Sequence, residues 1–476
     1  MDRRRRLHAL RRLHLHGLPH LDLGGIAADR LLGTHRSMLL GGWIIALGHI
    51  TLALAELFKI PPGEVVTMGN ASGSLLSFLI GCTFIIIGTG FFKPCVSVMV
   101  GQLYGEGDAR RDSGFTIFYM GINLGAFFSP LVAGWLGEKV GWHYGFGSAA
   151  VGMIAGLIFY QIFRGRYLGT IGAPPDRAET GKATWLIATA IIGLIAVPVI
   201  PLVLFATNGL GPIVSVWSSA TGALGVWGTA GAMTLVLLVA IAIFLSMQNP
   251  GERAPLGVVF VLAFFGNIFF WTAFEQAGSS LNIFAADSTD RNVLGYVFPA
   301  SWYQSVNPLA ILIFAPVFSW LWVYLAKRRA NPSTPMKFAI GLWLLGLAFL
   351  AMVFGALKTR DGGLAGPHWL LITYVVCTWG ELCLSPVGLS MVTKLSPKRL
   401  QSLMMGLWFF SLALSNLTAG LVARLSTHFV GESADMDFII PGLPGFFLML
   451  VLFPIGAGVV VALISPVLRR MMHGHE

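Results

Sequence analysis

Three ionisable side chains lie within stretches otherwise apolar enough to sit in a lipid bilayer: Lys93 in GTGFFKPCVS, Glu275 in FFWTAFEQAGSSLN and Glu381 in TWGELCLSPVG. A charge at mid-bilayer costs about 2.5–3.5 kcal/mol on insertion scales, so each marks a functional site unless it serves a static ion pair that locks two helices. Opposite charges facing one cavity offset each other's desolvation and titrate as a coupled set, which is what a proton-coupled carrier needs. Helical spacing names their neighbours. Glu381 and Ser385 are four apart, as are Trp271, Glu275 and Ser279, and so are Tyr119 and Asn123. A lining of Lys, Glu, Asn, Ser, Tyr and Trp suits a zwitterion: an ammonium near the carboxylates, a carboxylate near Lys93, and amides met by Asn123 and by Asn307 of SWYQSVNP. For Asn307 the alternative is a polar bridge between helices, which is common in membranes. Glu56 stands near a span end and His49 is neutral, so both read as interfacial or packing residues.

The elements that must position these groups are membrane helices. The chain has 476 residues, 55% hydrophobic and 11% charged, against about 25% charged for an average soluble domain, and its mean hydropathy is +0.76. Segments near twenty apolar residues fall at 38–58, 75–100, 115–136, 145–163, 184–206, 223–246, 255–285, 303–325, 336–357, 369–393, 403–422 and 443–467, the long seventh one with room to end in a loop. Twelve spans put both chain ends on one side. Of the 31 Lys and Arg, 24 fall on the side of the termini and 6 opposite, with Lys93 inside a span. The asymmetry survives removal of the six arginines before Leu13, so both termini are assigned to the cytoplasm. The net charge of +10 is spread over short loops, which reports orientation and not nucleic-acid binding.

An internal repeat is visible. Lys93-Pro94-x4-Met99-Val100-x2-Leu103, ending the second span, parallels Ser385-Pro386-x4-Met391-Val392-x2-Leu395, ending the tenth, and Asn123 parallels Asn416 with one residue of slippage. If the tenth span is the fourth helix of a final six-helix unit, the second span is the fourth helix of the first unit. Two helices are then expected to be absent before it, and the fifth and sixth spans form an inserted pair between the halves.

Other chemistries find little support. There is no G-x-x-x-x-G-K-[ST] loop, so a pump driven by its own ATPase domain is excluded, and neither H-E-x-x-H nor G-x-S-x-G occurs. A membrane-embedded transferase would need a dyad such as His143 with Glu138 or His428 with Glu432, both in short loops that read as solvated. Cys82, Cys95, Cys377 and Cys383 all fall in apolar segments, where they act as small hydrophobes and not as a disulfide framework. Residues 1–22 hold six arginines and four histidines without an apolar run, so they neither span a bilayer nor form a secretory signal. His14-x-His16 lacks a cysteine partner for metal, and the segment reads as a biased basic tail.

Five segments carry a resemblance: GGIAADRLLGTHRS (24–37), GTGFFKPCVSVMVGQLY (88–104), FTIFYMGINLGAFFSP (115–130), FWTAFEQAGSSLNIFA (270–285) and GELCLSPVGLSMVTKLSP (380–397). The chain resembles the proton-dependent oligopeptide transporters of the major facilitator superfamily, whose FYxxIN and FFKP blocks are specific to the family. The resemblance implies six helices, an inserted pair and six more, which is the repeat argument's arrangement with two helices missing. It implies that Lys93 and Glu381 act in proton-linked gating and in binding peptide termini. It also implies that Asn123, Asn307 and Glu275 line or gate the peptide cavity, with Ser385 one turn from Glu381 and Trp408 a pocket aromatic. Asp29 and Arg30 match the charged loop motif that acts as a conformational clasp.

Two departures stand out. The family's first-helix E-x-x-E-R motif does not occur, and family likeness begins abruptly near Leu23, which suggests a frameshift or a misplaced start. Cys95 stands where the family pattern usually has Asn, which bears on substrate polarity and not on class. The expectation is therefore an all-α polytopic membrane protein of major facilitator fold, two six-helix halves with an inserted two-helix hairpin. Its parts are a basic tail (1–22), an N-terminal bundle (23–163), a linker with the inserted pair (164–254) and a C-terminal six-helix bundle (255–470). The expected function is proton-coupled symport of di- and tripeptides across the cytoplasmic membrane by a monomer. It would use no cofactor beyond the proton gradient, no metal and no nucleic acid. An inactive remnant of such a carrier is the alternative.

Overall fold

In hydrocarbon an unpaired backbone N–H or C=O finds no water, so apolar segments of this length satisfy themselves as helices. The computed structural model describes residues 32–55, 68–104, 111–173, single positions between 192 and 203, and 235–472 apart from 361, 398–399 and 430–437. Asp29, Arg30, Glu56, Glu432, the basic tail and most of the inserted pair lie outside the described residues. Among the described residues ten helices are long and apolar enough to cross a membrane, each overlapping one of the expected spans. Leu235–Ser246 is a shorter apolar helix within the expected 223–246 span. The described residues divide into two units, Met1–Gly121 with Val132–Leu237, and Ile122–Leu131 with Leu238–Glu476.

In the first unit, α1 (Gly33–Leu54) packs on α2 (Met68–Gln102) and on α4 (Trp142–Tyr167). The α1–α2 approach depends on glycine. A Cβ built on Gly41 would stand 2.6 Å from the Gly88 carbonyl oxygen, and one on Gly88 would stand 2.6 Å from the Gly41 oxygen, so the backbones touch where no side chain fits. Ser37 Oγ donates to the Phe91 carbonyl at 3.3 Å, and His35 Nδ1 lies 2.9 Å from Tyr160 Oη. Cys95 is 1% exposed and packs with Met38 and Met99. None of the four cysteines is in a disulfide. The helix α3 (Arg111–Ser129) continues through a π-turn at Pro130–Gly134 to Trp135–Lys139.

The second unit holds six spans and the middle of α3. Its first helix, α5, runs from Pro250–Val261 through a π-turn (Leu262–Asn267), Ile268–Phe274, a 3-10 turn (Glu275–Gly278) and Ser280–Asp287. The long seventh span thus runs to Asp287, with a non-helical step at Ser279 and no terminal loop before that residue. A hairpin of β1 (Asn292–Val293) and β2 (Tyr296–Val297) turns on Leu294 and Gly295, both at positive φ. The turn Ala300–Ser305 then leads into α6 (Val306–Lys327), followed by α7 (Thr334–Lys358), α8 (His368–Leu395), α9 (Gln401–Leu425) and α10 (Leu443–Met471). Phe270, Phe284, Phe338, Phe349, Phe446 and Phe447 are fully buried and form the centre of this unit. Against them α7 packs on α8 and α10, again with reciprocal glycines: a Cβ on Gly380 would lie 2.8 Å from the Gly341 oxygen, and one on Gly341 would lie 2.9 Å from the Gly380 oxygen.

Candidate functional site

The best-defined polar cluster in the second unit is built on α8 and α6. Glu381 is partly buried on α8, and Asn307, in the first turn of α6, donates its Nδ2 to Glu381 Oε2 at 2.9 Å and to Thr378 Oγ1 at 3.0 Å. Thr378 and Glu381 are three apart and share one face of α8, so a single amide reaches both. The Thr378 hydroxyl in turn donates to the Tyr374 carbonyl at 2.8 Å, and Tyr374 Oη donates to the Ala277 carbonyl at 3.3 Å, in the 3-10 turn that carries Glu275. The chain of contacts therefore joins α5, α6 and α8. Ser385, one turn beyond Glu381, keeps its hydroxyl buried without a hydrogen-bond partner among the described residues. Its oxygen is available to a ligand or a water.

Glu275 sits partly buried at the start of the 3-10 turn. That turn breaks the four-residue spacing expected to carry on to Ser279. The helix tightens after Glu275, and Ser279 Oγ instead donates to Gln276 Oε1 at 3.2 Å. Gln276 is fully buried and donates Nε2 to Thr272 O and Ala419 O, both at 3.1 Å, while its Oε1 accepts from Ser280 Oγ at 2.7 Å. With Asn267 Nδ2 donating to Ser411 Oγ at 2.8 Å, and Thr272 bonded to Thr418, these groups make a polar seam between α5 and α9. Sequence reading passed over this seam and over Thr378. The seam's signal was the spacing of Asn267, Thr272 and Gln276 along one apolar helix.

The middle of α3 belongs to this second unit. Asn123 is buried there, and the same stretch is held by Ser305 Oγ, which donates to the Phe127 carbonyl at 2.8 Å, and by Trp302 Nε1, which donates to the Leu131 carbonyl at 3.3 Å. The repeat partner of Asn123, Asn416, is exposed and donates its Nδ2 back to the Leu412 carbonyl at 3.0 Å. Lys93 and Tyr119 belong to the first unit, both with exposed side chains. Trp408 is 3% exposed and packs in the core of the second unit, edge-to-face with Phe338 and against Gly388. It is a packing wedge in this structure. Among the described residues no cluster of His, Cys, Asp and Glu is arranged to hold a metal ion.

Known proteins place the chain. The POT family model matches residues 35–436. A peptide transporter of Yersinia enterocolitica is 40% identical over 468 residues, covering 95% of this chain and 84% of that protein. A di-/tripeptide transporter of Lactococcus lactis subsp. cremoris is 33% identical over 434 residues, covering 90% of this chain and 82% of that one. Among solved structures, a peptide transporter POT in complex with sulfate superposes with a TM-score of 0.74 at 35% identity, covering 95% of this chain and 84% of that one. A POT family transporter in complex with 5-aminolevulinic acid gives 0.72 at 31%, covering 94% and 84%. With ten apolar helices, a family match across most of its length and the fold of these carriers, this chain is a multi-pass membrane protein that belongs to the POT family of transporters.

Proposed function

We propose that this chain carries di- and tripeptides across the cytoplasmic membrane by proton symport. One observation carries the reading: an intramembrane carboxylate, Glu381, accepts from the neutral amide of Asn307, which also donates to the Thr378 hydroxyl. A carboxylate held by a neutral amide can gain or lose a proton without dismantling its surroundings, whereas one locked in a permanent ion pair cannot. The peptide relatives from Yersinia and Lactococcus support the substrate class. We assign Glu381 as the proton-exchanging group and Lys93 as the cation whose attraction for it is weakened by protonation. Glu275, Asn123, Asn307, Ser385 and Tyr119 are assigned to the peptide's polar groups. Proton and peptide must bias the same two-state equilibrium, otherwise a gradient does no work on the peptide. The excess of Lys and Arg in alternate loops supports cytoplasmic termini, and we take the active species to be a monomer that needs no cofactor.

The test is uptake of a labelled neutral dipeptide into liposomes containing the purified chain. Uptake is expected to rise as the outside is made more acidic than the inside and to collapse when a protonophore is added. Lys93→Ala and Glu381→Ala are expected to abolish gradient-driven uptake while leaving monodisperse, folded protein. Persistence of driven uptake in both variants would overturn the residue assignment, and no uptake by the parent chain at any gradient would overturn the function.

A further inference from the structure

The second unit also has a basic recess, distinct from the hydrogen-bonded Glu381 cluster and without an acidic residue among its described lining. Two cavities open around the start of α7. One, of about 410 Å³, lies between the ends of α6 and α8 and is lined by Lys337, Lys394, Trp322 and Asn331. The other, of about 860 Å³, lies towards the end of α10 and is lined by Arg469 and Arg470. Ser333 borders both, and its Oγ pairs with Ser465 Oγ at 3.2 Å. Four cations therefore converge on linings that contain no Asp or Glu among the described residues. The first turn of α7 adds to the field, since it carries no acidic residue and Ser333 makes no side-chain cap to it.

The surroundings identify the kind of anion. Lys337 Nζ lies 4.6 Å from the centre of the Trp322 ring, an indole at the end of a span, where tryptophan sits at headgroup depth. Alongside the second cavity α10 exposes Leu463 (74%) and Val467 (58%), apolar side chains that on a membrane-spanning helix face lipid tails. Basic recesses bordered by a tail-facing helix suit a group with a phosphate at one end and hydrocarbon at the other, and their volumes fall in the range of small-molecule sites. We propose that this recess binds the phosphate of an anionic phospholipid headgroup. Inorganic phosphate offers the same chemistry without the tails. The site does not depend on the transport reading, and the orientation reading determines only which leaflet supplies the lipid.

The experiment uses the purified, delipidated full chain in detergent. Binding of phosphatidylglycerol and of phosphatidylcholine is followed by native mass spectrometry and by thermal shift, with inorganic phosphate as a separate arm. The parent is expected to retain phosphatidylglycerol in preference to phosphatidylcholine. In Lys337→Gln/Lys394→Gln the phosphatidylglycerol affinity is expected to fall roughly thirtyfold, the order of effect for two lost cationic contacts, with phosphatidylcholine unchanged. Lys337→Arg/Lys394→Arg should restore it. Should the lysine pair impair folding, Arg469→Gln/Arg470→Gln at the exposed end of α10 gives the same readout. If millimolar phosphate displaces the lipid and stabilises the protein equally, the phosphate site stands with a soluble source. If the parent shows no preference between the two lipids, or the folded pair variants bind phosphatidylglycerol as the parent does, the proposal is overturned.

Discussion

The helices α2 and α8 are built alike and loaded differently. Each contains an internal proline, Pro94 and Pro386, and each lies against the preceding helix across reciprocal glycines, Gly88 with Gly41 and Gly380 with Gly341. In the register that aligns Lys93 with Ser385, Gly88 falls on Gly380 and Met99 on Met391, and both methionines are buried. The charged positions do not coincide. Glu381 aligns with Thr89, and Lys93 with Ser385, so the repeat preserves the packing seam while placing opposite charges one turn apart along it. Packing constraints act on both copies, because a backbone contact tolerates no Cβ in either. The proposed cycle needs one base and one cation, and on that proposal the copies divide.

The largest expected effect tests the shared part. Gly88→Val and Gly380→Val each force atoms into a neighbouring carbonyl that cannot step aside, so each is expected to cost on the order of 3 kcal/mol and to remove the folded species from size-exclusion profiles. Gly125→Ala, where an added Cβ meets nothing within 4 Å, should leave the profile unchanged. If only one of the two seam variants collapses, the two helix pairs are not equivalent and the packing correspondence fails.

The next effect tests the divided part. Asn307→Ala removes the amide that serves both Glu381 and Thr378. A hydrogen bond to a charged group contributes about 1.5–3 kcal/mol, so gradient-driven uptake should drop between about tenfold and a hundredfold with little loss of folded protein. Thr378→Val removes a neutral partner and should cost only a few-fold, on the basis of about 1 kcal/mol for such a bond. Thr89→Val, the equivalent of Glu381 on α2 and exposed in this structure, should leave uptake unchanged. A loss at Thr89 as large as that at Asn307 would mean that both copies carry chemistry at this level.

How much of this was legible in the sequence depends on the range of the interaction. Lys93, Glu275, Glu381 and Asn307 show themselves because a polar side chain in an apolar run needs a reason, and spacing alone puts Ser385 one turn from Glu381. That Asn307 reaches Glu381 does not follow from spacing, since it depends on how α6 packs on α8. Thr378 stayed hidden because a threonine in a membrane helix can satisfy itself on the carbonyl four residues back, and its hydroxyl does so on Tyr374 while also accepting from Asn307. Ser279 was misplaced because periodicity assumes an unbroken α-helix, and the 3-10 turn at Glu275–Gly278 shifts everything beyond it. The packing of Trp408 was equally out of reach of residue type, since its indole fills the space left by Gly388.

The smallest expected effect comes at Cys95, where sequence and structure give different emphasis. As a residue standing in place of a family asparagine it suggested altered substrate polarity, but its side chain is buried between Met38 and Met99, within the packing of α2. In the repeat register its counterpart on α8 is Val387. Cys95→Val keeps an apolar side chain of similar volume in this packing, so stability should change by less than about 1.5 kcal/mol. Uptake of dipeptides with polar and with apolar side chains should shift by the same factor or not at all. Cys95→Asn is the sharper arm. It buries an amide among methionine side chains at a cost of about 1–3 kcal/mol unless a partner is found. If Cys95→Asn instead leaves stability unchanged and alters the ratio of polar to apolar substrates, the residue contributes to selectivity, and the lower half of α2 carries chemistry as well as packing.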